Sequence, residues 1–198
     1  MMSSMRIKSR ENPNLEISAF RGHFATRHSH NSHYLDITRM KHEYGMAADA
    51  AGILVQHYIY EKQIDTIVCM DGSEVIGTFL AGRLAKNDRF AVNSGRNVCI
   101  VTPEYDSNGQ LIFRDNLTGM VSGKNVLLLI STVNSGKTAR RAMECIEYYG
   151  GRHRVQQVQR RHTLSGYVRD ESGESLINAT IYDIAIVFPP KAGRVISN

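Results

Sequence analysis

Asn125-Val-Leu-Leu-Leu-Ile130, followed by Ser131-Thr-Val-Asn-Ser-Gly-Lys-Thr138 and then Ala139 to Tyr149, is the stretch on which the fold turns. Its first part is short and apolar without alternation, the pattern of a strand whose two faces are both covered, as in a parallel sheet. Its last part places Ala139, Ala142, Met143, Ile146 and Tyr149 on one helical stripe, with Arg140, Arg141, Glu144 and Glu147 mostly elsewhere. Between them Asn134, Ser135 and Gly136 suit a turn and a helix cap. A strand, a polar turn and a helix N-terminus in that order aim free backbone N–H groups and the positive end of a helix dipole at one point, where a phosphate fits.

The ending Gly136-Lys137-Thr138 invites comparison with the triphosphate-binding Walker loop. That loop needs a glycine five residues before Gly136, and Ser131 stands there. The nucleoside-triphosphatase reading is therefore set aside. A shorter phosphate loop, with Asn134, Ser135 and Thr138 side chains and Lys137 around backbone N–H groups, remains. An ordinary capped βα turn accounts for the stretch equally well.

Working outward, Ile64 to Met70 reads as a second strand and ends in Asp71-Gly72-Ser73-Glu74, a turn with capping residues. A helix follows with Ile76, Phe79, Leu80 and Leu84 on one stripe. Two strand–loop–helix units side by side on a parallel sheet define a crevice at the strand tips, where α/β proteins place ligands. His42 to Lys62 is the longest helix candidate, Asn97 to Thr102 a further strand, and Leu111 to Phe113 a return strand after the polar loop Pro103 to Gln110. Leu15 to Gly22 is a short helix or an extended lead-in. Val155 to Gln159 alternates weakly, and Ile181 to Phe188 reads as a strand ended by Pro189-Pro190. Strands alternate with helices, so the expected class is α/β with a mainly parallel sheet flanked by helices.

Composition bounds the rest. A chain of 198 residues with 42% hydrophobic and 22% charged residues is ordinary for one soluble globular domain spanning 1–198. No apolar run reaches the roughly 20 residues of a membrane span, and Met1 to Arg10 lacks the apolar segment of a signal peptide. Cys69, Cys99 and Cys145 lie in apolar segments without metal-like spacing, as reduced core thiols of a cytoplasmic protein do. The net charge is +5, with Arg152, His153, Arg154, Arg160, Arg161 and His162 clustered after the central helix. No aromatic interleaves this cluster before Tyr167, so it reads as a solvated basic face, with nucleic acid a distant alternative. His28, His30 and His33 suggest a metal: alternating His28 and His30 could ligate from one strand face, with His33 following and Asp36 the only nearby carboxylate. No Cys or second His cluster follows, so a hydrogen-bonding loop is preferred and no metal site is assigned.

Four stretches, in order, resemble the orotate phosphoribosyltransferases of the type I phosphoribosyltransferase family. Gly22 to Asp36 is similar to the family's base-contacting segment, with Arg27 at its lysine and His28 and Tyr34 beside the base. Cys69 to Gly77 stands at its pyrophosphate loop, with Asp71, Gly72 and Ser73 as the contacts. Asn97 to Gly123 corresponds to a strand and a mobile loop, and Val126 to Thr138 to its phosphoribosyl pyrophosphate motif. The resemblance implies a type I phosphoribosyltransferase-like sheet, with residues 1–40 and roughly 160–198 adding a small hood. It also implies a homodimer, magnesium as cofactor of an active enzyme, and a phosphorylated ribose or nucleotide-like small molecule as partner.

Two departures bear on activity. Where the family's strand ends in adjacent acidic residues, this chain has Ile130 and Ser131. Where its loop brings lysines to pyrophosphate, there is no lysine between Lys86 and Lys124, and Glu104, Asp106 and Ser107 stand instead. The resemblance thus leaves two readings: a module that binds a 5-phosphoribosyl ligand at Asn134 to Thr138, and an active transferase joining orotate or another base to phosphoribosyl pyrophosphate.

Overall fold

The computed structural model describes residues 4–9, 11–25, 30–58, 64–86, 97–132, 137–153, 163–165 and 180–182. The chain opens with β1 (Ser4–Lys8), β2 (Glu16–Ala25) and β3 (His30–Asp36), an antiparallel sheet in that order. Leu15 to Gly22 is therefore extended: Leu15, Ile17 and Ala19 are buried at every second position, the period of a half-covered strand. The histidine-rich segment, expected to be a loop, lies largely in β2 and β3.

Next come α1 (Thr38–His42), a short helix ahead of the expected one, and α2 (Tyr44–Tyr58), the helix expected over His42 to Lys62, of which residues 59–62 lie outside the described residues. The break falls at Glu43, whose backbone is extended. Glu43 donates its N–H to Arg39 at 2.8 Å and accepts from the Ala47 N–H at 2.9 Å, closing one helix and opening the next. Arg39 holds its carboxylate with two bonds of 2.7 and 3.0 Å.

The centre comprises β4 (Thr66–Met70), α3 (Glu74–Lys86), β5 (Cys99–Val101), a hairpin of β6 (Glu104–Tyr105) and β7 (Leu111–Ile112), and α4 (Asp115–Val121). It continues with β8 (Asn125–Ile130), α5 (Lys137–Tyr148) and β9 (Arg152–His153). A separate antiparallel pair, β10 (Thr163–Ser165) with β11 (Thr180–Tyr182), completes the described elements. Of the expected strand Ile181 to Phe188, residues 183–188 lie outside the described residues, as does Val155 to Gln159.

The central sheet has the order β5-β4-β8-β9 and every pairing in it is parallel. Its two inner strands divide their side chains between two cores. Ile67, Cys69, Leu127 and Leu129 face α2 and α3, while Val68, Met70, Val126, Leu128 and Ile130 face α4 and α5. This is why neither strand shows polar alternation: a parallel sheet covered on both faces has no wet side. Each fully buried Leu, Ile or Val contributes roughly 1.5–3 kcal/mol.

Strand order fixes where a ligand can enter. From β4 the chain crosses through α3 on one face to β5; from β8 it crosses through α5 on the other face to β9. α3 and α5 thus cover opposite faces, and the carboxyl ends of the neighbours β4 and β8 form the topological switch point of the sheet, where α/β folds place a ligand crevice.

Candidate functional site at the strand tips

On the β4 side the crevice is bounded by a tight turn. Asp71 and Gly72 both adopt left-handed backbone, at φ 55° and 76°, a region Asp tolerates better than most residues and Gly adopts freely. Ser73 is completely buried. Its hydroxyl accepts the Met70 N–H at 3.2 Å and donates to the Leu129 carbonyl at 3.0 Å, while its own N–H donates to the Met70 carbonyl at 3.2 Å. The serine that the resemblance assigns to a pyrophosphate contact is therefore spent inside the fold, tying β4 to β8. One turn on, a Cβ at Gly77 would stand 2.4 Å from Cys69 Sγ, so α3 lies against its strand at a distance only glycine permits. Burial pushes the Cys69 thiol up to about 12, ahead of a smaller opposing effect from Ser73.

The two tips are stitched together. Met70 and Ile130 are partners at the end of the ladder, and just beyond them the Ser131 hydroxyl donates to the Asp71 carbonyl at 3.0 Å. The Lys41 ammonium, from α1, donates to the same carbonyl and brackets Gly72. Although Asp71 is exposed at the surface, protein packed around its carboxyl raises its pKa; Lys41 opposes this and Glu74 adds to it. Glu74 begins α3 and receives a long contact of 3.4 Å from the Thr102 hydroxyl at the end of β5. This side of the crevice carries two carboxylates and one ammonium.

The β8 side differs. Ile130, only 1% exposed, packs in the core shared with α5. α5 begins with exposed Lys137 and half-buried Thr138, continues to exposed Arg140 and Arg141, and has no acidic residue in its first turn. Its dipole and its side chains both favour an anion at this end. Asn134, Ser135 and Gly136 lie outside the described residues, as do Arg27 and His28 of the expected base pocket. Tyr34 is half exposed on β3, its ring 5.6 Å from that of Phe24 and 6.4 Å from that of Phe20.

Magnesium does not fit the ends of the central strand as the resemblance would place it. The ion wants oxygen ligands, carboxylates above all; Ile130 has no oxygen in its side chain, and Ser131 offers a neutral hydroxyl held against the Asp71 carbonyl. Asp36 is engaged elsewhere, closing a turn by accepting the Thr38 N–H at 3.0 Å, the chief influence lowering its pKa being Thr38. Among the described residues no group of three or more His, Cys, Asp or Glu gathers as a metal site would.

The segment Pro103 to Gln110 carries the expected polar turn, from which Leu111 returns as the second strand of a hairpin. It folds on itself: the Asp106 carboxylate accepts the N–H groups of Asn108 at 2.9 Å and Gln110 at 2.7 Å, and Gly109 takes the left-handed position. Glu104 is paired with Arg114 through contacts of 2.8 and 2.9 Å. Asp106 is thus engaged within the hairpin turn, and Glu104 with the residue that precedes α4. Sequence reading missed Arg114 because the pair spans ten positions, and missed Lys41 because only the tertiary fold brings α1 to the strand tip.

No protein-family model matches the chain, and no curated protein matches it in sequence. Among solved structures it is similar to the orotate phosphoribosyltransferase of Mycobacterium tuberculosis in complex with Fe(III) dicitrate, at 15% identity and a TM-score of 0.44, over 69% of this chain and 73% of that one. It is also similar to the orotate phosphoribosyltransferase of Francisella tularensis, at 13% identity and 0.42, over 82% and 72%. A third is the adenine phosphoribosyltransferase of Rhodothermus marinus, at 15% and 0.40, over 76% and 77%. No helix among the described residues is long and apolar enough to cross a membrane.

Proposed function

We propose that the protein binds a 5-phosphorylated ribose or nucleotide-like small molecule on a type I phosphoribosyltransferase-like scaffold, and that phosphoribosyl transfer is not its task. The ligand's phosphate sits at Asn134, Ser135 and Gly136 and at the first turn of α5, on Lys137 and Thr138. The observation that carries this reading is the one-sided charge of the crevice. The α5 end presents cations and no acid, while the α3 end presents two carboxylates, Asp71 and Glu74, against the single ammonium of Lys41. A single phosphate is attracted to the first; a departing pyrophosphate is repelled by the second. The buried Ile130 in place of a carboxylate supports the same reading, because it can neither bind magnesium nor favour positive charge developing on a ribose ring.

Ribose 5-phosphate titrated by calorimetry is expected to bind the parent, with Thr138→Ala weaker by about tenfold or more, the worth of a hydrogen bond to a charged group. Orotate, uracil, hypoxanthine, xanthine or adenine, each supplied with phosphoribosyl pyrophosphate and magnesium, is expected to give no turnover above background. Equal binding by Thr138→Ala removes the phosphate site. Turnover with any base, abolished by Ser135→Tyr, replaces this reading with that of an active transferase.

A further inference from the structure

Away from the strand tips, the N-terminal sheet brings two imidazoles together. In the ladder of β2 and β3, Ala25 stands opposite His30, and the register shifts between Arg21 and Phe24. His23 lies in that irregularity, where regular alternation lapses, and its ring turns toward His30. The rings meet: His30 Nδ1 and His23 Nε2 are 2.9 Å apart, with centroids at 4.9 Å and planes inclined by 38°. Both residues are exposed. As a plain hydrogen bond this contact uses one ring N–H and one lone pair.

The same spacing suits two ligands of one ion. With metal–nitrogen bonds of about 2.0–2.1 Å, adjacent ligand atoms around a metal stand about 3 Å apart. The ladder fixes His30 opposite Ala25, and the two ring nitrogens already stand at the spacing of adjacent ligands. Two neutral imidazole nitrogens select a borderline transition ion such as zinc, nickel or copper over magnesium or calcium, which take oxygen. We propose that His23 and His30 form a surface site for a divalent transition-metal ion, which clips β2 to β3 in place of the shared proton. The remaining coordination positions fall to water. His23 is absent from the histidines singled out in sequence because it precedes the His28-to-His33 run by five residues; the hairpin supplies the proximity.

The test uses the full chain and zinc or copper chloride. Calorimetry with zinc is expected to show one site that His23→Asn and His30→Asn each weaken by at least about tenfold, the low end of what even outer-shell losses cost at metal sites, while His42→Asn leaves it unchanged. Both altered residues are exposed, and copper added to the unaltered protein gives a second readout: paramagnetic broadening of amide resonances centred on 23–25 and 30. Absence of zinc binding, equal binding by the two variants, or broadening centred elsewhere overturns the site and leaves a hydrogen-bonded pair.

Discussion

Two helices begin at the same crevice, α3 after β4 and α5 after β8, and they present opposite charge to it. α3 is preceded by Asp71 and opens on Glu74, and the serine in its capping position turns its hydroxyl inward to Leu129. α5 opens on Lys137, has no acid in its first turn, and exposes Arg140 and Arg141 behind it. The helix dipole is the same at both ends, worth about 0.3–1 kcal/mol for a neighbouring charge. Backbone architecture therefore sets the same dipole at both ends, and the side chains distinguish them. The same fold position need not carry the same chemistry: here the α3 end is a stitched structural turn and the first turns of α5 carry the cations.

The contrast is tested most severely at the last residue of β8. Ile130→Asp restores the acid that the family resemblance calls for, but into a position 1% exposed among Val68, Met70 and the apolar face of α5. Loss of buried apolar contact and burial of a carboxyl together cost on the order of 3–5 kcal/mol, read as a lower denaturation midpoint. Ser131→Asp, one residue on and half-buried, forfeits the bond to the Asp71 carbonyl and costs about 1 kcal/mol. An Ile130→Asp protein as stable as the parent and able to bind magnesium with ribose 5-phosphate would show that the strand end is open, and that the two tips are less different than their packing says.

A smaller effect belongs to the β4 turn. Ser73→Ala removes the acceptor of the Met70 N–H and the donor to the Leu129 carbonyl in a fully buried place. Leaving those groups unpaired costs about 1–3 kcal/mol in denaturation. Because that hydroxyl faces the sheet, ribose 5-phosphate affinity is expected to hold at concentrations where the variant is folded. A selective loss of affinity would move Ser73 from scaffold to site.

Which parts were legible follows from range. The inner strands, α3 and the apolar stripe of α5 are dictated by local patterning: five consecutive buried residues in β4, and Ala139, Ala142 and Ile146 at helical spacing. Cys145, not Met143, completes that buried stripe, a difference of two positions within the arc that periodicity defines. α4 was not legible, because seven residues holding a glycine and few apolar positions give no periodic signal. The division at Glu43 was hidden because neither Pro nor Gly marks it. The histidine-rich strands were read as loop because polar residues on an edge hairpin do not look like a buried strand. In the site, the turn residues were visible as turn residues. The internal use of Ser73, the reach of Lys41 and the pairing of Glu104 with Arg114 are long-range facts that no local window contains.

The smallest expected effect concerns charge alone. The carboxyl of Asp71 is held above its ordinary pKa, chiefly by the protein packed around it, with Lys41 pulling the other way and Glu74 adding to the rise. A carboxyl that binds its proton more tightly folded than unfolded makes ionisation unfavourable to the fold. That penalty is present above the raised pKa and fades as pH falls through it. Asp71→Asn keeps a short polar side chain suited to φ 55° and removes only the charge. The variant is expected to be slightly more stable than the parent at neutral pH, with the two converging in acid. Lys41→Met should widen the gap, since it withdraws the one cation that opposes the rise. The opposite order, with the parent more stable at neutral pH and the advantage lost in acid, would mean that the Lys41–Asp71 attraction outweighs desolvation. Ribose 5-phosphate affinity at low salt sharpens the comparison further: removing one negative charge from the α3 side should raise it modestly, and added salt should erase the gain.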